Sequence, residues 1–312
     1  MPIISNFPSG NFNNNDIIIP DGLPELGRTG GLNAYTWEEV SAVSLAHLGD
    51  TYWAVGDTHS VALNGTVGTL SLNATYYAYI LGFNHNRYIE GDGIQFGTFK
   101  TAQSDGKDVS LVSNYLAYTT DGTKNFNMNH WGNLNYGGWK GCDLRYDILG
   151  STNTAPSGYG AAVAEGRTGY DAGTTTATNP VANTLMAAFP SDLRAVMKPI
   201  TKYTDNMGGA KNTVDCVTET VDYLPLLSEF EIFGRRTYSN LFEHNYQEQY
   251  AYYQSGNSRV KFRHDALTST AVWWERSPYY GYAYTFCTVS ANGGANGNGA
   301  CGSIGLAPAF KV

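Results

Sequence analysis

From Ser277 to Phe310 the chain contains no Lys, Glu, Gln, Met or Trp. Small polar residues and tyrosines fill the stretch between large or rigid ones at Trp273, Trp274, Arg276, Pro278, Phe286, Val289, Pro308 and Phe310. With so many glycines, Val272 to Val312 reads as short strands and turns. Tyr280, Tyr282 and Tyr284 would share one strand face, with only Gly281, Ala283 and Thr285 opposite, which leaves no apolar second face for a core strand. Tyr279, Tyr280, Tyr282 and Tyr284 are therefore expected to cluster on a surface. Tyr gives a large amphipathic contact with few torsions to freeze, and Ser, Asn and Gly give adaptable hydrogen bonds.

The rest of the composition points the same way. Charged residues are 15% of the chain, against about 25% in an average soluble protein. Gly contributes 36 of 312 residues and Tyr 23, so the polar surface is built mainly from Tyr, Asn, Ser, Thr and Gly. The net charge of −8 argues against nucleic acid and against a polybasic membrane contact. No apolar run is long enough for a membrane helix. The opening Met1-Pro2-Ile3-Ile4-Ser5-Asn6 lacks the basic and apolar regions of a secretory signal. Cys142, Cys216, Cys287 and Cys301 form no Cys-x-x-Cys pair and no zinc-type grouping with His, so free or buried thiols are expected. A pairing of Cys287 with Cys301 stays open.

Along the chain, residues 1–30 carry scattered Gly, Pro and Asn without a period and read as an extended arm. Thr36-Trp37-Glu38-Glu39 has the form of a capping box, opening a helix with Trp37, Val40, Val43 and Leu48 on one stripe and Gly49 as its stop. Tyr52 to Val55 reads as a strand before a Gly56-Asp57 turn. Ala74–Phe83 and Ile94–Phe99 read as partner strands. Gly137-Gly138-Trp139 leads into a short helix near Arg145. Residues 151–183, almost all Gly, Ala, Thr, Ser and Asn, read as a long loop insertion within one domain. Ser191 is a candidate N-cap for a helix ended by Pro199, and Ser228-Glu229-Phe230-Glu231 is a second capping box closed at Gly234. Tyr246–Tyr253 reads as one more short helix. Short helices and many short strands without βαβ alternation define an α+β domain over residues 31–312.

Catalytic signatures are missing. The six histidines, His47, His59, His85, His130, His244 and His264, show no metal-ligand spacing. Asp57-Thr58-His59-Ser60 has the residue types of a hydrolase triad, but neighbours in a turn cannot align as orienter, base and nucleophile. There is no nucleophile elbow or phosphate loop. No clustered Asp, Asn and Glu set demands calcium. No catalytic residue, metal or cofactor is expected.

The run Trp273-Trp274-Glu275-Arg276-Ser277-Pro278, the core Phe286-Cys287-Thr288-Val289, Gly293 and the close Gly305-Leu306-Ala307-Pro308-Ala309-Phe310 resemble the C-terminal variable region of proteins diversified by diversity-generating retroelements. More widely, the chain resembles a family of phage and gut-bacterial proteins with a C-type-lectin-like domain. That likeness takes in Trp37 and its helix, Val55-Gly56-Asp57, Gly137 to Arg145, the helix around Leu193, and Leu226-Leu227-Ser228-Glu229. In such proteins a template is copied with errors at adenines. Asn-type codons then scatter into codons ending in a pyrimidine, which never encode Lys, Glu, Gln, Met or Trp. The absence noted from Ser277 onward fits this rule.

The resemblance implies a C-type-lectin-like fold with insertions, short helices around small antiparallel sheets, and a variable region at 273–312. It implies ligand-binding variable positions at Tyr279, Tyr280, Gly281, Tyr282, Tyr284, Thr285, Thr288, Ser290, Ala291, Asn292, Gly294, Asn296, Gly297, Asn298, Gly299, Cys301, Gly302 and Ile304. The implied role is a phage receptor-binding or virion-surface protein, or a bacterial surface adhesin, meeting a protein or glycan on a cell surface, with homo-oligomerisation left open. Competing classes are a fixed-specificity lectin-like or structural virion module, and an enzyme related to the formylglycine-generating enzymes, which would need reactive cysteines near a substrate groove or a copper site.

Overall fold

The computed structural model describes residues 19–151 and 177–312. Residues 1–18 of the expected arm and 152–176 of the expected insertion lie outside them. The strands are β1 (Thr58–Val67), β2 (Leu70–Phe83), β3 (Ile94–Lys100), β4 (Val109–Ser110), β5 (Ile200–Asp205), β6 (Val217–Asp222), β7 (Lys261–Arg263), β8 (Ala266–Ala271), β9 (Trp273–Pro278), β10 (Thr285–Val289), β11 (Ala295–Gly299) and β12 (Ala309–Lys311). They form sheets ordered β1-β2-β3-β12, β11-β10-β9, β4-β7-β8 and β5-β6. All pairings are antiparallel except β4 with β7. The architecture is thus mixed α+β, with short helices and several small sheets.

The core sits where β12 returns to β3. Phe310 lies opposite Phe96 in register, and their rings stack at 5.1 Å. Trp37, the first residue of the helix Trp37–Leu45, meets Phe96 edge-on at 5.3 Å and Phe310 at 5.8 Å. Burying each such side chain stabilises the fold by about 1.5–3 kcal/mol. Thr36 accepts from the Glu39 backbone and Glu39 from Thr36, so the expected capping box forms. The second box forms as well, over the helix Glu229–Phe233 with left-handed Gly234 at its end. β2 and β3 pair as expected.

Other expectations are corrected. Tyr52 ends a short helix, Gly49–Tyr52, and is not in a strand. Gly49 is not the stop of the first helix, which ends at Leu45 with left-handed His47 beyond it. Gly49 is needed for a different reason, because a Cβ there would lie 2.8 Å from the Phe83 ring. The helix Ser191–Val196 has Pro190, not Ser191, at its cap position. Tyr246–Tyr253 is not one helix, since short turns at Leu241–Asn245 and Ala251–Gln254 replace it. The segment 19–30 is tied down: Pro24 and Glu25 carbonyls accept from Tyr52 and Tyr35 at 2.6 and 2.8 Å, and Arg28 pairs with Glu39 at 2.7 Å.

A buried ionic chain links four elements. Arg276 on β9 donates to both carboxylate oxygens of Glu231. Lys202 on β5 bridges Glu231 and Glu90, each at 2.7 Å. Burial opposes ionisation of Glu231, but Arg276 and then Lys202 outweigh it and hold the carboxyl well below its usual range. Breaking such a pair leaves an uncompensated buried charge. Arg276→Met is expected to destabilise by about 3–5 kcal/mol, read from the urea midpoint; an unchanged midpoint would show that the chain of charges carries no stability.

Candidate ligand-binding surface

β9 is buried along its length, from Trp273 to Pro278. Trp274 donates to the Phe126 carbonyl at 2.6 Å and Trp273 to that of Arg259 at 3.0 Å. β10 is buried too. Between them the chain leaves the sheet as a turn, not as the strand whose faces the alternation suggested. Here the tyrosines gather. Ring centroids lie 5.9 Å apart for Tyr279 and Tyr280, 5.1 Å for Tyr279 and Tyr282, and 5.5 Å for Tyr282 and Tyr284. Tyr282 and Tyr284 are 50% and 46% exposed, enough to offer contact area to a ligand.

The loop is braced from below. Buried Asn135 donates its backbone N–H to Ala283 at 2.8 Å, and its Nδ2 to the carbonyls of Tyr282 at 2.8 Å and Thr285 at 2.7 Å. From the side, Tyr238 stacks on Tyr279 at 4.8 Å, and its carbonyl accepts from the Tyr280 N–H at 2.9 Å. The Arg236 guanidinium lies 4.9 Å from the Tyr280 ring centre. Buried Glu229 holds the segment carrying both, accepting from the backbone of Thr237, Tyr238 and Ser239 and from the Ser239 hydroxyl.

The remaining expected positions divide by exposure. Gly281, Asn292, Gly294 and Asn296 are exposed, while Tyr279, Tyr280, Ser290, Ala291, Gly297, Asn298 and Gly299 are half-buried. The β10–β11 turn is closed by the Ser290 N–H donating to the Gly294 carbonyl at 2.8 Å, with Gly293 at a φ of 84° that favours glycine. Asn298 accepts from exposed Tyr118 at 3.0 Å. Thr285, Thr288, Cys301, Gly302 and Ile304 are buried. In this chain those five residues are turned into the fold: β10 packs between two neighbouring strands, and residues 301–304 run inward.

Sequence reasoning missed Arg236, Tyr238, Tyr118 and Asn135. Each is far from residues 279–298 in the chain, and no period or motif links them. The only signal was Arg-Arg-Thr-Tyr immediately after a helix stop, an arginine pair beside an aromatic in an exposed turn.

Chemically reactive groups are poor here. Cys142, Cys216, Cys287 and Cys301 are all free and buried, so Cys287 and Cys301 are not bonded. Burial, reinforced by Glu275, pushes the Cys287 thiol well up, opposite to nucleophile activation. His59 is spent on the Tyr35 carbonyl at 2.6 Å. Among the described residues His85, Glu90 and Glu231 are close enough to share a cation, but the Lys202 ammonium already bridges the two carboxylates. Glu275 is buried with neither oxygen hydrogen-bonded; burial and then Glu229 and Glu243 push its carboxyl well up, towards the neutral form.

The chain belongs to the family described as "Domain of unknown function (DUF6273)", whose model matches residues 107–312. The match spans β9 to β12 together with the Glu229 and Asn135 braces. No curated protein and no solved structure matches the chain. Among the described residues no helix is long and apolar enough to cross a membrane.

Two measurements test this division of labour. Tyr282→Ala and Tyr284→Ala are expected to shift stability by no more than about 0.5 kcal/mol, whereas Trp274→Ala costs about 3–5 kcal/mol; a large loss at Tyr282 would make the tyrosines part of the core. The second is pH dependence. Burial pushes Glu243 from 4.5 up to about 7, against the lowering effect of its Ser277 hydrogen bond. The folded state then binds the extra proton between those values, so stability falls as pH rises through them, by up to about 3 kcal/mol. Glu243→Gln is expected to flatten that decline in melting temperature, leaving the part due to Glu275; an unaltered slope would assign it elsewhere.

Proposed function

We propose that this is a ligand-binding protein with a hypervariable C-terminal surface diversified by a retroelement, carried on a C-type-lectin-like fold. It acts as a phage receptor-binding or virion-surface protein, or as a bacterial surface adhesin. One observation carries the reading: a wholly buried β9 and β10 hold out a tyrosine-rich, uncharged loop whose side chains the core does not use. The α+β architecture with small antiparallel sheets is compatible with the fold that the resemblance implies. Binding is favoured over catalysis because Cys287 and Cys301, the thiols that a formylglycine-type enzyme would need, are buried and unactivated. A second reading draws on the burial of Thr288 and Ile304, where diversification would disturb packing: the same surface as a fixed-specificity lectin-like or structural virion module.

Deep sequencing of the 3′ end across a population carrying the gene separates the two. Diversification predicts substitutions confined to codons 279–304 and matched to adenines in a nearby template copy, with the exposed positions varying more than Thr288 and Ile304. An end no more variable than codons 36–145 would sink diversification and leave the fixed module.

A further inference from the structure

No residue from Ser277 to Phe310 is charged, so the formal charges bordering the tyrosine loop come from elsewhere in the fold. Arg236 lies over Tyr280 at 4.9 Å, and its Nη1 donates to the Ser239 carbonyl at 3.0 Å. Arg235 beside it is exposed. Arg259 joins the same place from a distant part of the chain. Its Nε donates to the Ile232 carbonyl at 3.3 Å, and its guanidinium lies 5.0 Å from the Phe233 ring centre. Arg259 also flanks the second exposed turn, since a Cβ on Gly293 would sit 3.7 Å from its own Cβ. The arginines thus stand around residues 232–236, next to both exposed turns.

They stand around one segment and, among the described residues, have no counter-ion; Arg194, also without a carboxylate there, is instead taken up by the carbonyls of Phe189, Ala177 and Thr178. Arg28, Arg87, Arg145, Arg263 and Arg276 each meet a carboxylate. Among the described residues Arg235, Arg236 and Arg259 do not, although the chain has 27 acidic residues against 19 basic ones. The nearest acids on their element are committed inward, Glu229 to the 237–239 backbone and Glu231 to Arg276 and Lys202. Three guanidinium groups borne on or bound to residues 232–236, without carboxylate partners, form an anion-attracting edge.

We propose that Arg235, Arg236 and Arg259 are a constant cationic rim of the binding surface, and that its ligand is an anionic polysaccharide whose charge is carried by carboxylate or phosphate groups. This rests on the binding reading above and deepens it: the tyrosine loop supplies contact that changes, and the rim supplies an attraction that does not. Between the two turns the surface offers the phenols of Tyr282 and Tyr284 and the amides of Asn292 and Asn296, which suit a hydroxyl-rich ligand. Within residues 279–299 no aliphatic side chain larger than alanine is exposed to anchor an apolar peptide. The rim is held in place, because Glu229 fixes the 237–239 backbone beneath it.

The test is affinity electrophoresis of the full chain in native gels containing polygalacturonate, teichoic acid, neutral dextran or polyglutamate. The protein's own charge is −8, so its overall repulsion from a polyanion works against retention and a local rim must overcome it. Retardation is expected with polygalacturonate, with teichoic acid, or with both, and these arms tell carboxylate from phosphate. It should weaken by about tenfold or more in an Arg236→Ala, Arg259→Ala double variant and in about 0.5 M NaCl. An Arg236→Lys, Arg259→Lys variant should keep most of it, and unchanged melting of both variants guards against misfolding. The proposal is overturned if neither polyanion retards the protein, if dextran does so equally, or if the alanine variant binds as well as the parent. Equal retardation by polyglutamate would replace the saccharide with an acidic polypeptide. Population sequencing reads the diversification independently: variable codons without polyanion binding would remove the rim and leave the variable surface standing.

Discussion

Arg276 stands on a strand buried on both sides, and its guanidinium has no route to water. It is tolerable there because Glu231 takes two of its hydrogen bonds while Thr204 and the Leu226 carbonyl take others at 2.7 and 2.9 Å. Glu231 in turn is held by Lys202, and Lys202 by Glu90 and by the Tyr250 hydroxyl at 3.0 Å. Through this chain β9, the helix Glu229–Phe233, β5 and the helix Arg87–Glu90 take a fixed mutual position. Desolvating four charges is costly, and only the full set of partners offsets it. The position of β9, and so of everything attached to its end, depends on this arrangement.

The exposed loops inherit that rigidity through hydrogen-bonded braces. Asn135 makes three hydrogen bonds to the backbone of residues 282–285, so it holds the path of the loop whatever the side chains are. Glu229 does the same for 237–239. A surface of this kind can change its side chains without changing its backbone, because the bonds that hold the backbone belong to residues beneath it. Glu275 is the exception among these polar groups. Lacking partners, it is accommodated by being pushed towards the neutral form, which leaves an unpaired acid on β9, the strand that leads into the tyrosine loop.

Much of the local structure was legible. Both capping boxes formed because their four-residue pattern satisfies orphan N–H groups without outside help. The β2 and β3 pairing followed from β-branched and aromatic runs, and the Gly-rich end did become strands and turns. Tyr52 to Val55 failed because tertiary packing of Gly49 beneath Phe83 and Ile94 favoured a helical turn where propensity suggested a strand. Ser191 failed because Pro190 already held the extended cap conformation. At the surface, the tyrosine cluster was legible from the lack of an apolar second face, but its stacking partner Tyr238 was not. Nothing in the local pattern ties residue 238 to 279.

The sequence by itself determined the chemistry of the exposed end: uncharged, rich in tyrosine and glycine, and bounded by rigid residues that had to be inside. It also determined where two helices begin, since a cap is a contact between near neighbours. Only the tertiary structure decided that Glu231, half of a capping box, is also the counter-ion of Arg276. The same holds for the burial of Thr288 and Ile304 and for Arg259 reaching the Ile232 carbonyl, on the segment whose Arg236 lies over Tyr280. The physical reason is common to all three. Short-range hydrogen bonds and side-chain alternation are written in adjacent residues, whereas burial and charge pairing depend on distances between segments that the chain brings together only when it folds.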